Sequence, residues 1–135
     1  MPAPILSQRE LEFLLYELFD AEGMCTRERY ADHSRETFDA AMQISRVVAE
    51  RYFLPIRQKV DTHQPTFDGE KVQMIPEIKV ALDAVIEAGL ACSAADYEGG
   101  GMQLPAIVAS TTGSYLSAVG STIMGYIGLT NANTN

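Results

Sequence analysis

Apolar residues recur at three- and four-residue spacings along much of this chain, which predicts helices. Ser7-Gln-Arg-Glu10 has the form of a capping box, in which hydroxyl and carboxylate each satisfy an orphan backbone N–H. Leu11, Leu14, Leu15, Leu18 and Phe19 then form one stripe, on a helix of about four turns. Asp20-Ala-Glu-Gly23 is expected to end it, with Gly23 as the left-handed residue. Residues 24–31 read as a short extra helix or a loop. A second helix is predicted from Asp32 or Ser34 to about Phe53. Phe38, Ala41, Met42, Ile44, Val48 and Tyr52 lie mostly on one side of it. Pro55 is expected to stop that pattern or to follow its end closely.

From Arg57 to Ile75 the pattern breaks, and Pro65 and Gly69 indicate an ordered loop or small turn. A third helix starts at Pro76, whose missing N–H costs nothing at a first helical position. Its face is Ile78, Leu82, Val85 and Ile86, and Gly89 ends it. Asp96-Tyr-Glu-Gly-Gly-Gly101 is a turn. Helix resumes near Leu104 or Pro105 and runs to about Val119, Gly120 breaks or kinks it, and a last helix covers roughly Ser121 to Ile127. The pattern therefore predicts an all-α fold, a single bundle-like domain of about five or six helices spanning residues 1–135.

Size and composition agree: 135 residues suit one domain, and 47% apolar with 21% charged residues is a globular balance. The net charge of −8 repels phosphates and argues against nucleic acid as a partner. Cys25 and Cys92 lack metal-ligand spacing and read as free thiols of a reducing compartment. The opening Met1–Glu10 lacks a basic region followed by an apolar run, so no secretory signal is expected and the default location is cytoplasmic.

Charge placement changes the picture most. The chain has 18 acidic and 10 basic residues, and every one lies at or before Glu98. From Gly99 to Asn135 there is none. Three readings are open for that segment. A membrane span needs about 20 predominantly apolar residues, and Ser, Thr, Gly, Asn and Gln interrupt every apolar run here. The segment could be the central helix of a small bundle, or it could be covered by protein outside this chain or line a ligand cavity. The last is the working expectation.

Three motifs point further. They are Asp61-Thr-His-Gln-Pro-Thr-Phe-Asp-Gly69 with Val72 and Pro76, then Glu87-Ala-Gly-Leu90 with Gly100-Gly-Met-Gln-Leu-Pro105, and then Tyr126-Ile-Gly-Leu-Thr-Asn-Ala-Asn133. Together they resemble the N-terminal helical domain of acyl-CoA dehydrogenases, and are most similar to larger bacterial members with an extra leading helix, here within residues 1–22. Two departures stand out. The run before the double glycine is Asp-Tyr-Glu, and the closing Leu-Thr-Asn-Ala-Asn is shorter than the family's usual form.

The resemblance implies a domain of an FAD-dependent enzyme that dehydrogenates acyl-CoA thioesters between the α and β carbons. It implies that the middle β-domain, the C-terminal helical domain and the glutamate base lie outside this chain. No catalytic, cofactor-binding or metal-ligating residue is then expected here, and no FAD is expected on this chain alone. The implied partners are acyl-CoA, the missing domains and further subunits of a homo-oligomer. By position, Tyr115, Leu116, Val119, Tyr126, Leu129 and Thr130 are the expected wall of the acyl pocket. The alternative is a stand-alone helical interaction protein derived from that domain.

Other motifs carry less. His33 and His63 stand far apart without metal spacing. Gly99-Gly-Gly101 is not followed by the Lys-Ser/Thr of a phosphate loop. The hydroxyl-rich Ser110–Ser114 lacks a G-x-S-x-G elbow.

Overall fold

The computed structural model describes residues 4–133. Met1-Pro-Ala3, at the start of the segment inspected for a signal, and the closing Thr134-Asn135 lie outside the described residues. The fold is all-α, with five helices and one tiny two-stranded sheet among the described residues.

Helix α1 (Gln8–Glu12) starts where Ser7 accepts the Glu10 N–H at 3.3 Å, one half of the anticipated capping box. It widens into a π-type turn over Phe13–Leu18. That widening rotates the stripe out of register, so Leu15 is buried while Leu14, Leu18 and Phe19 are exposed. Asp20, with φ 46°, makes the left-handed stop assigned to Gly23. Gly23 instead sits inside a 3-10 turn, Ala21–Thr26, and a second one follows at Glu28–Tyr30.

Helix α2 (Arg35–Val48) opens on a complete capping box between Ser34 and Thr37. It buries Phe38, Ala41, Met42, Ser45 and Val48. The helical path does not stop at Pro55. A π-type turn (Ala49–Phe53) leads into a 3-10 turn (Leu54–Ile56) and then α3 (Arg57–Thr62). Pro55 falls at the start of that new turn, where its lost donor is no loss. The segment expected to be loop from Arg57 is thus helical for its first six residues.

Strands β1 (Thr66–Phe67) and β2 (Val72–Gln73) pair antiparallel, Phe67 opposite Val72. Asp68 holds the tip: one carboxylate oxygen accepts the Glu70 and Lys71 N–H groups, each at 2.8 Å, and the other accepts Gln73 Nε2. These bonds to the charged form hold its pKa down, at about 2.

Helix α4 (Pro76–Glu87) begins at the expected proline and ends before Gly89, which is left-handed at φ 71°. Helix α5 (Ala106–Ala132) is the uncharged segment. It packs chiefly on α2 and its π-type extension. Its buried residues Val108, Thr112, Tyr115, Leu116, Val119 and Ile123 close the core against Phe38, Phe53 and Val85. Inside that core the Ser45 hydroxyl donates to the Thr112 carbonyl at 2.5 Å.

At Gly120 (φ −158°, ψ 48°) α5 leaves helical geometry. Local crowding leaves no room there for a side chain. A Cβ on Gly120 would lie 2.4 Å from Cδ1 of the fully buried Phe53. The bend reverses the chain's course. A straight helix would separate Ala106 from Asn131 by about 38 Å, yet both line one groove.

Candidate functional site

The six residues expected to face an acyl chain fall into two groups. Tyr115, Leu116 and Val119, from the first half of α5, are buried in the domain's own core. Burial also pushes the Tyr115 phenol pKa up. Tyr126, Leu129 and Thr130, from the second half, are exposed, Leu129 to 73%. The Tyr126 hydroxyl donates to Met74 Sδ at 3.0 Å, and the Thr130 hydroxyl is spent on the Tyr126 carbonyl. The helical path brings the second trio onto one side, since 126, 129 and 130 are three and four residues apart.

A groove of about 400 Å³ runs between the two halves of α5 and the 90–95 segment. Ala106, Ala109, Ser110 and Gly113 line it from the first half, and Met124, Ile127, Gly128 and Asn131 from the second. Both sets have the spacing i, i+3, i+4, i+7, the signature of one helix face. That signal was present in the sequence. It was hidden because small residues do not register as an apolar stripe, and because the sequence does not reveal that the halves turn toward each other. Asn131 Nδ2 donates to the Ala91 carbonyl at 2.5 Å and ties the second half to the 90–95 segment.

The motifs behind the resemblance have structural duties here. Gly89 ends α4, and Leu90 follows it into the core. Gly100 is left-handed at φ 78°, and a Cβ on Gly101 would overlap the Ala95 carbonyl at 2.0 Å. The loop therefore doubles back tightly: the Ser93 carbonyl accepts the Met102 and Leu104 N–H groups, and the Ala95 carbonyl accepts that of Gln103. Gln103 Nε2 continues the brace to the Arg29 carbonyl at 2.6 Å, beside an Arg29–Asp96 ion pair at 2.5 Å. No family model, curated protein or solved structure matches this chain.

Other cavities lie elsewhere among the described residues. One of about 200 Å³ lies at the bend, where Arg57 and Asp61 face residues 117–123. Another, about 340 Å³, is bordered by His33, Thr37, Tyr97 and Met102. His33 is held by hydrogen bonds: its Nδ1 lies 3.3 Å from Thr37 Oγ1 and its Nε2 3.1 Å from the Gln103 carbonyl. His63 Nδ1 lies 3.1 Å from the Lys59 carbonyl. Among the described residues no His, Cys, Asp and Glu cluster could hold a metal ion. Cys25 and Cys92 are both free thiols, and burial raises the Cys25 pKa. No helix among the described residues is long and apolar enough to cross a membrane.

Proposed function

We propose that this chain is the N-terminal helical domain of an FAD-dependent acyl-CoA dehydrogenase, contributing a wall of the acyl pocket and performing no chemistry alone. One observation carries the reading beyond motif resemblance. The solvent side of α5 has no charge, although it is not buried in this domain. A surface helix ordinarily carries charged residues outward, so this one is shaped to be covered. Tyr126, Leu129 and Thr130 are the accessible members of the expected acyl wall, and an acyl chain over them gains about 0.8 kcal/mol per buried methylene. Tyr115, Leu116 and Val119 would support that wall from behind.

The flavin and the glutamate base belong, in this reading, to domains outside the chain. FAD supplies the hydride acceptor of the family's reaction. The closing helix has no cationic side chain to meet a flavin diphosphate, so we assign it no flavin contact. Its part is to bind, orient and exclude water.

The competing reading is a stand-alone helical protein that covers the same surface by self-association, and the exposed Leu129, Val80 and Ile86 favour it. The reading frame around the gene decides. Under our proposal it encodes a β-domain and a glutamate base, and the assembled protein is yellow and oxidises acyl-CoA. Leu129→Asp should then raise KM for acyl-CoA more than it lowers kcat. A frame without those domains, joined to a stable dimer on sizing, would sink the enzyme reading.

A further inference from the structure

We propose that Met74 is a modification site, oxidised by hydrogen peroxide to one epimer of its sulfoxide, and that this oxidation unfastens the second half of α5 from the β1–β2 hairpin. The site does not rest on the acyl-CoA reading. It needs only the contact between Met74 and Tyr126.

The first observation is access. Met74 lies in the short link between β2 and α4. It is 42% exposed, whereas Met42 is buried and Met24, Met102 and Met124 are half-buried. Peroxide must reach the sulfur to oxidise it, so exposure selects Met74 among the described methionines. The polar product is also tolerated at this position, because it puts no unpaired oxygen into the core.

The second observation is the partner. The Tyr126 hydroxyl donates to Met74 Sδ at 3.0 Å, joining residues 52 apart in sequence. Tyr126 stands in the middle of the second half of α5, and this bond fastens it to the end of the hairpin. Asn131 fastens the end of the same half-helix elsewhere, to the Ala91 carbonyl. A thioether is a weak acceptor, so the Met74 fastening is the one that a change at sulfur can undo.

The two observations together give the sulfur unequal sides. A thioether has two lone pairs, and the Tyr126 O–H covers one of them. The other attacks the nearer oxygen of hydrogen peroxide. An S–O bond forms, the O–O bond breaks, and hydroxide departs. The proton left on the transferred oxygen passes to that hydroxide, which leaves as water. Sulfur is oxidised and peroxide reduced, with no further reactant. The oxygen therefore arrives on the side away from Tyr126, which fixes the handedness of the sulfoxide. The oxidised sulfur carries positive charge and no longer accepts the phenol proton, so Tyr126 loses its partner and the half-helix its fastening.

The test treats the full chain with dilute hydrogen peroxide and follows each methionine by peptide mass spectrometry. Met74 should oxidise before Met24, Met42, Met102 and Met124. The two methionine sulfoxide reductases each act on one epimer, so digestion with either one reads the handedness. We expect about a fivefold excess of one epimer, the worth of one ordinary hydrogen bond. Tyr126→Phe keeps the ring and removes the donor. In it the excess should vanish and Met74 should oxidise faster. Amide hydrogen exchange over residues 121–132 should rise about fivefold on oxidation, and fall again when the reductase that acts on the favoured epimer is added. Met74→Leu, a well-tolerated exchange of shape, should remove the response of that segment to peroxide. Equal epimers in the parent chain, an unchanged excess in Tyr126→Phe, or exchange over 121–132 that ignores oxidation would each overturn the proposal. Should Tyr126→Phe misfold, the epimer ratio of the parent and the response of Met74→Leu decide instead. A gene neighbourhood without flavin-enzyme domains would defeat the acyl-CoA reading and leave this site standing.

Discussion

The two halves of α5 share a composition and differ in almost everything else. Before Gly120 the helix buries Val108, Thr112, Tyr115, Leu116 and Val119 against α2, and Ser45 is hydrogen-bonded to its backbone. After Gly120 only Ile123 is buried, and Leu129 stands in solvent. Absence of charge therefore has two meanings in one element. In the first half it accompanies a core face. In the second it marks a mostly exposed surface, anchored to the core by Ile123 with Met124 and Ile127 packed against it. Only packing separates them.

Matched leucines give the sharpest contrast. Leu116→Ala, at a position 1% exposed, should cost about 2–5 kcal/mol in denaturant unfolding. Leu129→Ala should stay within about 0.5 kcal/mol of the parent. Equal losses would mean that the second half is packed in solution, and the distinction between the halves would fall.

The bend comes next. Gly120→Ala forces a methyl into the Phe53 ring and should destabilise by about 1–3 kcal/mol. Adding Phe53→Ala should relieve part of that clash, so the double variant should lose less than the sum of the singles. Strict additivity would show that Phe53 does not set the bend.

A smaller effect, opposite in sign, belongs to the second half alone. No packing neighbour stands within 4 Å of a Cβ at Gly125, so Gly125→Ala should raise the melting temperature through a gain of up to about 1 kcal/mol. A loss instead would reveal a close contact there in solution.

The smallest effect lies outside α5, in the β1–β2 hairpin. The folded pKa of Asp68 is depressed to about 2, so its bonds stabilise the hairpin fully above the unfolded pKa of a free aspartate. That contribution drains away as pH falls toward 2. Amide signals of Glu70 and Lys71 should shift over this window while those of α5 remain still. Asp68→Asn should flatten the hairpin's response.

Much of the fold was legible because local chemistry was strong. Ser34, one of the two expected starts, Pro76 and Gly89 mark helix ends by their own hydrogen-bonding and backbone preferences, and the structure keeps them. The misses arose where the helix changed its winding. The π-type turn at Phe13–Leu18 breaks the 3.6-residue period that had aligned Leu14, Leu18 and Phe19 with Leu15. Pro55 closely follows the end of the winding at Phe53, as one of the two expectations had it, but it also starts the next turn, so no loop begins there. For the candidate surface, the missing charge was plain in the sequence, but its division into core and solvent faces was not. Tyr115 and Tyr126 differ in exposure because of what α2 covers, which no spacing within α5 records.

The pairing of α2 with α5 also governs how the protein emerges from the ribosome. Ser45 and its acceptor Thr112 are 67 residues apart, and Phe38 and Phe53 must wait for the same distant helix. At about 5–20 residues per second, α2 spends several seconds in the nascent chain without its partner. During that interval Glu36, Asp39, Arg46 and Glu50 are its own protection against sticking to neighbours. The uncharged helix is made after the charged part, so its greasy surface emerges only once that part is ready to receive one side of it.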